Sequence, residues 1–387
     1  MFSQVTHIAH ATLRNKRTLF GIKQPDRLSH TYIIGKTGTG KSSLLFNLIK
    51  QDIEAGRGLV LLDPHGDLAN KVAQSMPQHR RLDMVYFNTT DPHMPYGCNP
   101  LRYVSPEKRP LVASGVLEVF KKLWSGNNWG VNMEHILRNC LLALLEVPHA
   151  TLVDIPRLLT DKIFREEVIE QITNPQVKVF WGRDFSACGF DRPAALSPVL
   201  NKVGAFLADP MLYRVLTASE KPLSFRSLMD QKKVLVVNLA KGQIGEDASS
   251  LLGGLLVSMV TLAAFSRADV AEEQRTPFFL YADEFQNFAT ESFADAVSEL
   301  RKYGIGLILA HQHLHQVPER IHSAILGNVG TLISFRVGAK DAPYMAREFH
   351  PVFSQEDIAG LPNYQMYLKL MIDGVPSKPF SAETMGF

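Results

Sequence analysis

The stretch IIGKTGTGKSSLL, residues 33–45, constrains this 387-residue chain more than any other. Gly35, Gly40, Lys41 and Ser42 satisfy the pattern G-x-x-x-x-G-K-[ST], and the apolar run TYIIG before it and the helix-forming run after it supply the required strand–loop–helix setting. A loop of this kind (Gly35, Lys36, Thr37, Gly38, Thr39, Gly40, Lys41, Ser42 and Ser43) turns backbone N–H groups toward one point at a helix N-terminus, where a phosphate is stabilised. Lys41 is then placed to neutralise β- and γ-phosphate charge, and the Ser42 hydroxyl to bind Mg²⁺, so ATP with Mg²⁺ is the expected ligand pair.

A loop of this type needs a parallel sheet behind it, and the chain supplies the strands. GLVLLD (58–63), DMVYFN (83–88), KVLVVNL (233–239), FFLYAD (278–283), GLILA (306–310) and GTLISFRV (330–337) are continuous apolar or β-branched runs closed by turn residues, with helical patterns between them. Such runs imply strands covered on both faces, hence an α/β fold with a mostly parallel central sheet. The run YQMYLKLMIDGVPSKPF alternates around Asp373-Gly374 and predicts a terminal β-hairpin. The basic segment LRNKRTLFGIKQPDRLSH before TYIIG reads as a short lead-in to the first buried strand.

Between about residues 105 and 230 the strand signal fades, while LVASGVLEVFKKLW, MEHILRNCLLALLE and IFREEVIEQI show helical spacing. The expected organisation is a discontinuous nucleotide-binding domain (1–104 and 231–387) with an all-α insertion domain (105–230). Trp124, Trp129 and Trp181 all fall in the insertion, where they are expected to anchor helix packing. LLGGLLVSMVTLAAF (251–265) is shorter than the roughly 20 residues of a spanning helix and reads as a core helix.

Hydrolysis at a phosphate loop needs a carboxylate for the metal and another to activate water, both at a strand end. FFLYADEFQNF offers Asp283 for the Mg²⁺ shell and Glu284 for the water. Gln312, just past GLILA, would report phosphate occupancy if its strand lies beside that of Asp283. His311, His313 and His315 alternate, but no carboxylate or cysteine stands near at ligand spacing, so they read as surface or loop residues. In LVLLDPHGDL, Asp63 takes a turn role and Asp67 a helix-capping one. Arg301 and Arg336 are each compatible with a surface position or an internal ion pair.

The 41 basic and 38 acidic residues, net +3, are too balanced to argue for nucleic acid on their own. Three scattered cysteines suggest neither disulfides nor zinc, and no secretory leader is visible, so a cytoplasmic location is expected. An Asn-Lys-x-Asp guanine-reading motif is missing, which argues against a GTPase.

In order, HTYIIGKTGTGKSSLL, GLVLLDPHGDL, YGCNPL, KVLVVNLAKG, FFLYADEFQNF, LRKYGIGLILAHQ, GNVGTLISFRVGAKDA and LPNYQMYLKL resemble the FtsK/HerA superfamily of DNA-pumping ATPases. Within it they are most similar to the conjugative coupling proteins of type IV secretion, the TraG/TraD type. The resemblance runs from about Phe20 to about Phe380 and implies a RecA-like P-loop core. It also implies a homohexameric ring that moves DNA, double-stranded and without sequence specificity, using ATP hydrolysed at subunit interfaces. The family looks to an arginine before the penultimate conserved strand, or to one shortly after the glutamine, as a finger acting across that interface; these positions fall on Arg301 and Arg336, with Arg301 favoured. Coupling proteins usually carry N-terminal transmembrane helices and this sequence shows none, so no membrane span of its own is expected. The alternative is an ATP-gated recruitment or assembly module that delivers DNA–protein cargo to a secretion channel, or acts with a nuclease in phage defence. Partners would then be a relaxosome, a secretion channel or a nuclease, and contact with the inner membrane would come through them.

Overall fold

The structure is a computed structural model and describes residues 5–13, 16–102, 104–124, 129–218 and 220–386. Its main sheet has β1 (Val5–Leu13), β2 (Lys16–Lys23), β3 (Thr31–Ile34), β4 (Gly58–Asp63), β5 (Met84–Asn88), β6 (Val234–Asn238), β7 (Phe278–Ala282), β8 (Ile305–His311), β9 (Thr331–Ser334), β10 (Gln365–Lys369) and β11 (Phe380–Thr384). Their order across the sheet is β2-β1-β11-β10-β9-β3-β8-β7-β4-β6-β5. From β9 through β5 neighbouring strands pair parallel, and from β9 out to β2 they pair antiparallel. Every residue of β3, β4, β6, β7, β8 and β9 is buried, as helices on both faces require. The predicted hairpin is present: β10 pairs with β11, and Met371–Ile372 pairs with Val375–Pro376 about the turn.

The chain divides into two compact units, one of Met1–Thr90, Phe225–Ile244 and Ala263–Phe387 and one of Asp91–Ser224 with Gly245–Leu262. In the first, α1 (Lys41–Glu54) follows β3 and α2 (Asp67–Gln74) follows β4. The second contains α3 (Arg109–Leu123), α4 (Val131–Leu144) and most of α5 (Glu246–Phe265). It starts before residue 105, where Tyr96–Gly97 pairs with Lys221–Pro222, and reaches beyond 230 because α5 and α3 cross closely through small residues. A Cβ on Gly115 would lie 2.4 Å from Ser258 Oγ, and one on Gly254 would lie 2.9 Å from Val119. Over Glu246–Asp269, 61% of the apolar window is buried, as in a core helix, and among the described residues this is the one helix long and apolar enough to cross a membrane.

Two expectations need correction. The basic lead-in is not a simple connector: its Lys16–Lys23 stretch forms β2, paired antiparallel with β1 and shifted by a bulge between His7 and Ala9. Met1–Gln4, Arg14 and Asn15 lie outside the described residues. The edge hairpin forms because Ile8 and Ile22 point into the core, and Gly21 fits against the carbonyl of Thr6 where a side chain would collide. The insertion is also not purely helical, since Tyr96–Gly97 pairs parallel with Lys221–Pro222. Two-residue strands leave no periodicity to read. The tryptophans do pack as expected: Trp181 is buried with its N–H donated to the Asn139 carbonyl, and Trp124 stacks on Phe120 with 4.9 Å between ring centroids.

A buried ion pair joins the edge of the lead-in to the core. Arg27 donates to both oxygens of Asp52, at 2.6 and 2.7 Å, and to the Tyr281 hydroxyl; Arg57 also reaches Asp52, at 2.9 Å. Burial opposes the charge on Arg27, but Asp52 and Tyr281 outweigh it and raise its pKa. Removing Asp52 leaves the buried Arg27 guanidinium without its carboxylate. Asp52→Ala is therefore expected to lower unfolding stability by about 3–5 kcal/mol in a denaturant titration. An unchanged midpoint would show that water reaches Arg27.

Candidate functional site

Strand register brings the predicted residues to one edge. Ile34 is level with His311 and Ser334, while Ala282 is level with Leu62 and Leu309. The phosphate loop after β3, Asp63 at the end of β4, Asp283-Glu284 after β7 and Gln312 after β8 therefore emerge together at the carboxyl ends of parallel strands, where open α/β sheets bind ligands. They surround a cleft of about 430 Å³ lined by Thr37, Gly38, Gly40, Lys41, Ser42 and Ser43 of the loop and by Asp63, His65, Asp67, Leu68, Asp283, Glu284, Gln312 and Tyr364. Its size falls in the range of about 300–1,000 Å³ of small-molecule clefts.

The loop depends on two glycines. Gly40 has φ +122°, closed to side chains, and a Cβ on Gly35 would lie 2.6 Å from that of Phe335. Lys41 Nζ donates to the carbonyls of Gly35 (2.5 Å) and Lys36 (3.2 Å), which holds the ammonium across the mouth of the loop. Burial lowers its pKa against the pull of Glu284 and Asp283. Ser42, on the first turn of α1, is exposed to the cleft.

Asp283 is buried, and its pKa is pushed up to about 7, first by burial and then by the Glu284 and Asp63 carboxylates, with Lys41 working the other way. Crowded carboxylates beside an exposed serine hydroxyl fit a divalent cation, which would relieve their repulsion. Asp63 itself accepts from the N–H groups of His65 and Ala69, both at 2.9 Å. It therefore caps α2, whose N-cap residue is Gly66; Asp67 is the first helical residue and does not take the capping role expected of it.

Glu284 is nearly buried and sits in the left-handed region, φ 48° and ψ 49°, which costs a non-glycine residue about 1–2 kcal/mol. One carboxylate oxygen accepts from Gln312 Nε2 at 2.6 Å, and the other from Gln286 Nε2 at 2.8 Å. Gln312 Oε1 accepts from the Thr37 hydroxyl at 2.9 Å. The chain Thr37–Gln312–Glu284 thus connects the phosphate loop to the strand-end carboxylate.

The arginines lie elsewhere. Arg301 is exposed just before β8, at the opposite end of that strand from Gln312, and makes no side-chain hydrogen bond or ion pair among the described residues. Arg336 is half-buried beside the loop, where its carbonyl accepts from the Lys36 N–H at 2.9 Å. Its guanidinium is committed to the Leu361 carbonyl (3.2 Å) and Asn363 Oδ1 (2.8 Å). His311 is not a surface residue: it is fully buried at the end of β8, hydrogen-bonded to the Tyr32 hydroxyl, and burial lowers its pKa to about 3. A strand end that lies beside β3 encloses it.

Sequence reasoning missed Gln286 and Tyr364. Tyr364 reaches the cleft because its N–H donates to the Thr39 carbonyl at 2.8 Å and its φ of +67° turns the half-exposed ring over Gly40. Nothing local marks it, since it enters from the terminal hairpin.

Residues 24–90 match the family described as the central domain of helicase HerA, and residues 277–349 match the TraM recognition site of TraD and TraG. No curated protein matches the chain in sequence. Among solved structures, the unbound bacterial conjugative coupling protein TrwB superposes with a TM-score of 0.68 at 16% identity, over 97% of this chain and 88% of that one. TrwB in complex with ADP and Mg²⁺ gives 0.65 at 16%, over 100% and 95%. VirB4 of Thermoanaerobacter pseudethanolicus gives 0.66 at 17%, over 99% and 97%. At these identities the likeness is one of fold, a RecA-like P-loop core.

The half-exposed Tyr364 ring lines the cleft and offers an aromatic face to a nucleotide. Tyr364→Ala should weaken nucleotide binding by about 1–3 kcal/mol, the worth of a base on an aromatic ring, and Tyr364→Phe should keep it, by calorimetric titration. Equal affinity in all three proteins would leave the ring as a cap on the loop.

Proposed function

We propose that this chain, similar to the HerA/FtsK-type ATPases of the conjugative coupling-protein kind, is the subunit of a homohexameric ring that hydrolyses ATP at subunit interfaces to move DNA through its channel. The observation that carries the reading is the cation count in the cleft. Among the described residues lining it, Lys41 is the only lysine or arginine. Phosphoryl transfer rewards a second cation on the γ-phosphate, which a neighbouring protein can supply in trans.

Within one subunit the residues divide the work. The loop N–H groups and Lys41 hold the phosphates. A bound Mg²⁺, held by Ser42 and Asp283, would supply charge neutralisation on the β- and γ-oxygens. Glu284 accepts the proton of the attacking water, and the strained backbone at residue 284 aims it. Gln312 donates to Glu284 and accepts from Thr37, so displacement of the Thr37 contact by a γ-phosphate would free Gln312 to orient that water.

Arg301 is the candidate for the missing cation. β8 separates it from its own cleft by roughly 20 Å, so it can serve only another subunit's. Arg336 is already bonded within its own chain, which supports the choice of Arg301. DNA would be held by backbone phosphate contacts that carry no sequence information, and a net charge of +3 is compatible with basic residues confined to the channel.

A second reading draws on the match of residues 277–349 to a segment described as a recognition site for a partner. In it the chain is an ATP-gated module that recruits DNA–protein cargo to a secretion channel, or acts with a nuclease, with little translocation of its own. In either reading it works in the cytoplasm and meets the inner membrane through partners.

Lys41→Ala should abolish nucleotide binding, whereas Glu284→Gln should bind ATP and lose turnover by about 10²–10⁴-fold. Normal hydrolysis by Glu284→Gln would remove it as the base. Arg301→Ala subunits should bind ATP without turnover and recover part of it when mixed with Lys41→Ala subunits; no recovery at any ratio counts against action in trans. Particle imaging with mass measurement, with and without ATP and double-stranded DNA, should give a ring whose ATPase rises with DNA. A monomer indifferent to DNA would overturn the motor. A ring that hydrolyses ATP but displaces nothing from a DNA track would favour the recruitment module.

A further inference from the structure

The turn after β8 and the segment after β9 bring His313, His315 and Asp341 together. Their potential ligand atoms all lie within 4.8 Å of one another. His313 Nδ1 is 3.3 Å from one carboxylate oxygen of Asp341, and His315 Nδ1 is 3.9 Å from the other. The two rings face each other with centroids 5.3 Å apart and planes 28° apart. None of the three lines the nucleotide cleft.

We propose that His313, His315 and Asp341 form a binding site for a late first-row divalent cation, zinc foremost. Asp341 is the reason to read the cluster as a site. Its side chain is only 4% exposed, yet among the described residues its ion-pair partners are these two histidines, with no lysine or arginine. It stands at the N-cap of the helix Ala342–Phe349 but makes no side-chain cap there, so its oxygens face the histidines instead.

The distances point the same way. A charge-assisted N–H···O⁻ bond closes to about 2.7–2.9 Å, so 3.3 Å is long for an imidazolium held by a carboxylate. Two ligands on one tetrahedral zinc, each at about 2.0 Å, stand about 3.3 Å apart. His315 is mostly exposed and can close the remaining gap by a side-chain rotation. Imidazole nitrogens favour Zn²⁺, Co²⁺, Ni²⁺ or Cu²⁺, whereas Mg²⁺ and Ca²⁺ favour oxygen sets. Two nitrogens and one carboxylate leave a fourth position for water or for a side chain from outside. Because His313 is one residue past Gln312, the ion would tie the turn that carries Gln312 to the start of the 342–349 helix.

The test uses the full chain, treated with chelator and without nucleotide, so it is independent of whether the chain hydrolyses ATP. Zn²⁺ is measured by equilibrium dialysis, and Co²⁺ by the visible absorption of a tetrahedral nitrogen–oxygen site. One ion per chain is expected, resistant to excess Mg²⁺. His313→Ala and His315→Ala should each weaken binding by at least about tenfold, the lower end of what losing even an outer-shell partner costs, and the exposed control His79→Ala should not. Asp341→Asn should act like the histidine variants. Should it fail to fold, His315→Ala still decides, because that side chain is mostly solvent-facing. Equal affinity in wild type, His313→Ala and His315→Ala would overturn the site.

Discussion

The crowding of carboxylates at one end of a parallel sheet is the constraint on which the rest of this structure depends. Asp63, Asp283 and Glu284 emerge from adjoining strands, mostly buried, with the Lys41 ammonium as the compensating charge on the loop beside them. Each carboxylate is held differently. Asp63 is used up in capping a helix, Asp283 is left with a raised pKa, and Glu284 is pinned by two glutamine amides. A buried cluster of like charge is costly unless a cation or a proton answers it, which is why this edge is suited to binding a metal–phosphate ligand.

The same edge explains why so much of the chain serves positioning. Arg27 and Asp52 fix the base of α1, whose first turn carries Lys41 and Ser42. The antiparallel strands beyond β9 bring the terminal hairpin back over the loop, so that Tyr364 meets Thr39 and Gly40. Gln312 and Thr37 couple the two halves of the cleft. Arg301 points away from all of it, at the far end of β8.

Much of the first unit was legible because buried parallel strands are written as continuous apolar runs. All of the strands from β3 to β9 were read in place, and Lys41, Asp283, Glu284 and Gln312 meet in one cleft. The edge hairpin was not legible, since a half-buried strand such as β2, with two lysines and an arginine, looks like linker. His311 was misread for a related reason: burial depends on what lies across the sheet, and only the pairing of β8 with β3 encloses it. The pairing of His313 and His315 with Asp341 was invisible too, because the carboxylate comes from beyond the next strand in sequence.

The sequence by itself determined that a phosphate loop opens a helix after a buried strand, and that acidic and amide groups follow the strands that come later. Local spacing suffices there, because backbone geometry alone aims the loop's N–H groups. Only the tertiary structure decided strand order and register. Those place Asp63 beside Asp283, turn Glu284 toward Gln312, bring Tyr364 over the loop and leave Arg301 outside the cleft. These are contacts between distant segments, and side-chain patterns record which face is buried without recording what is buried against it.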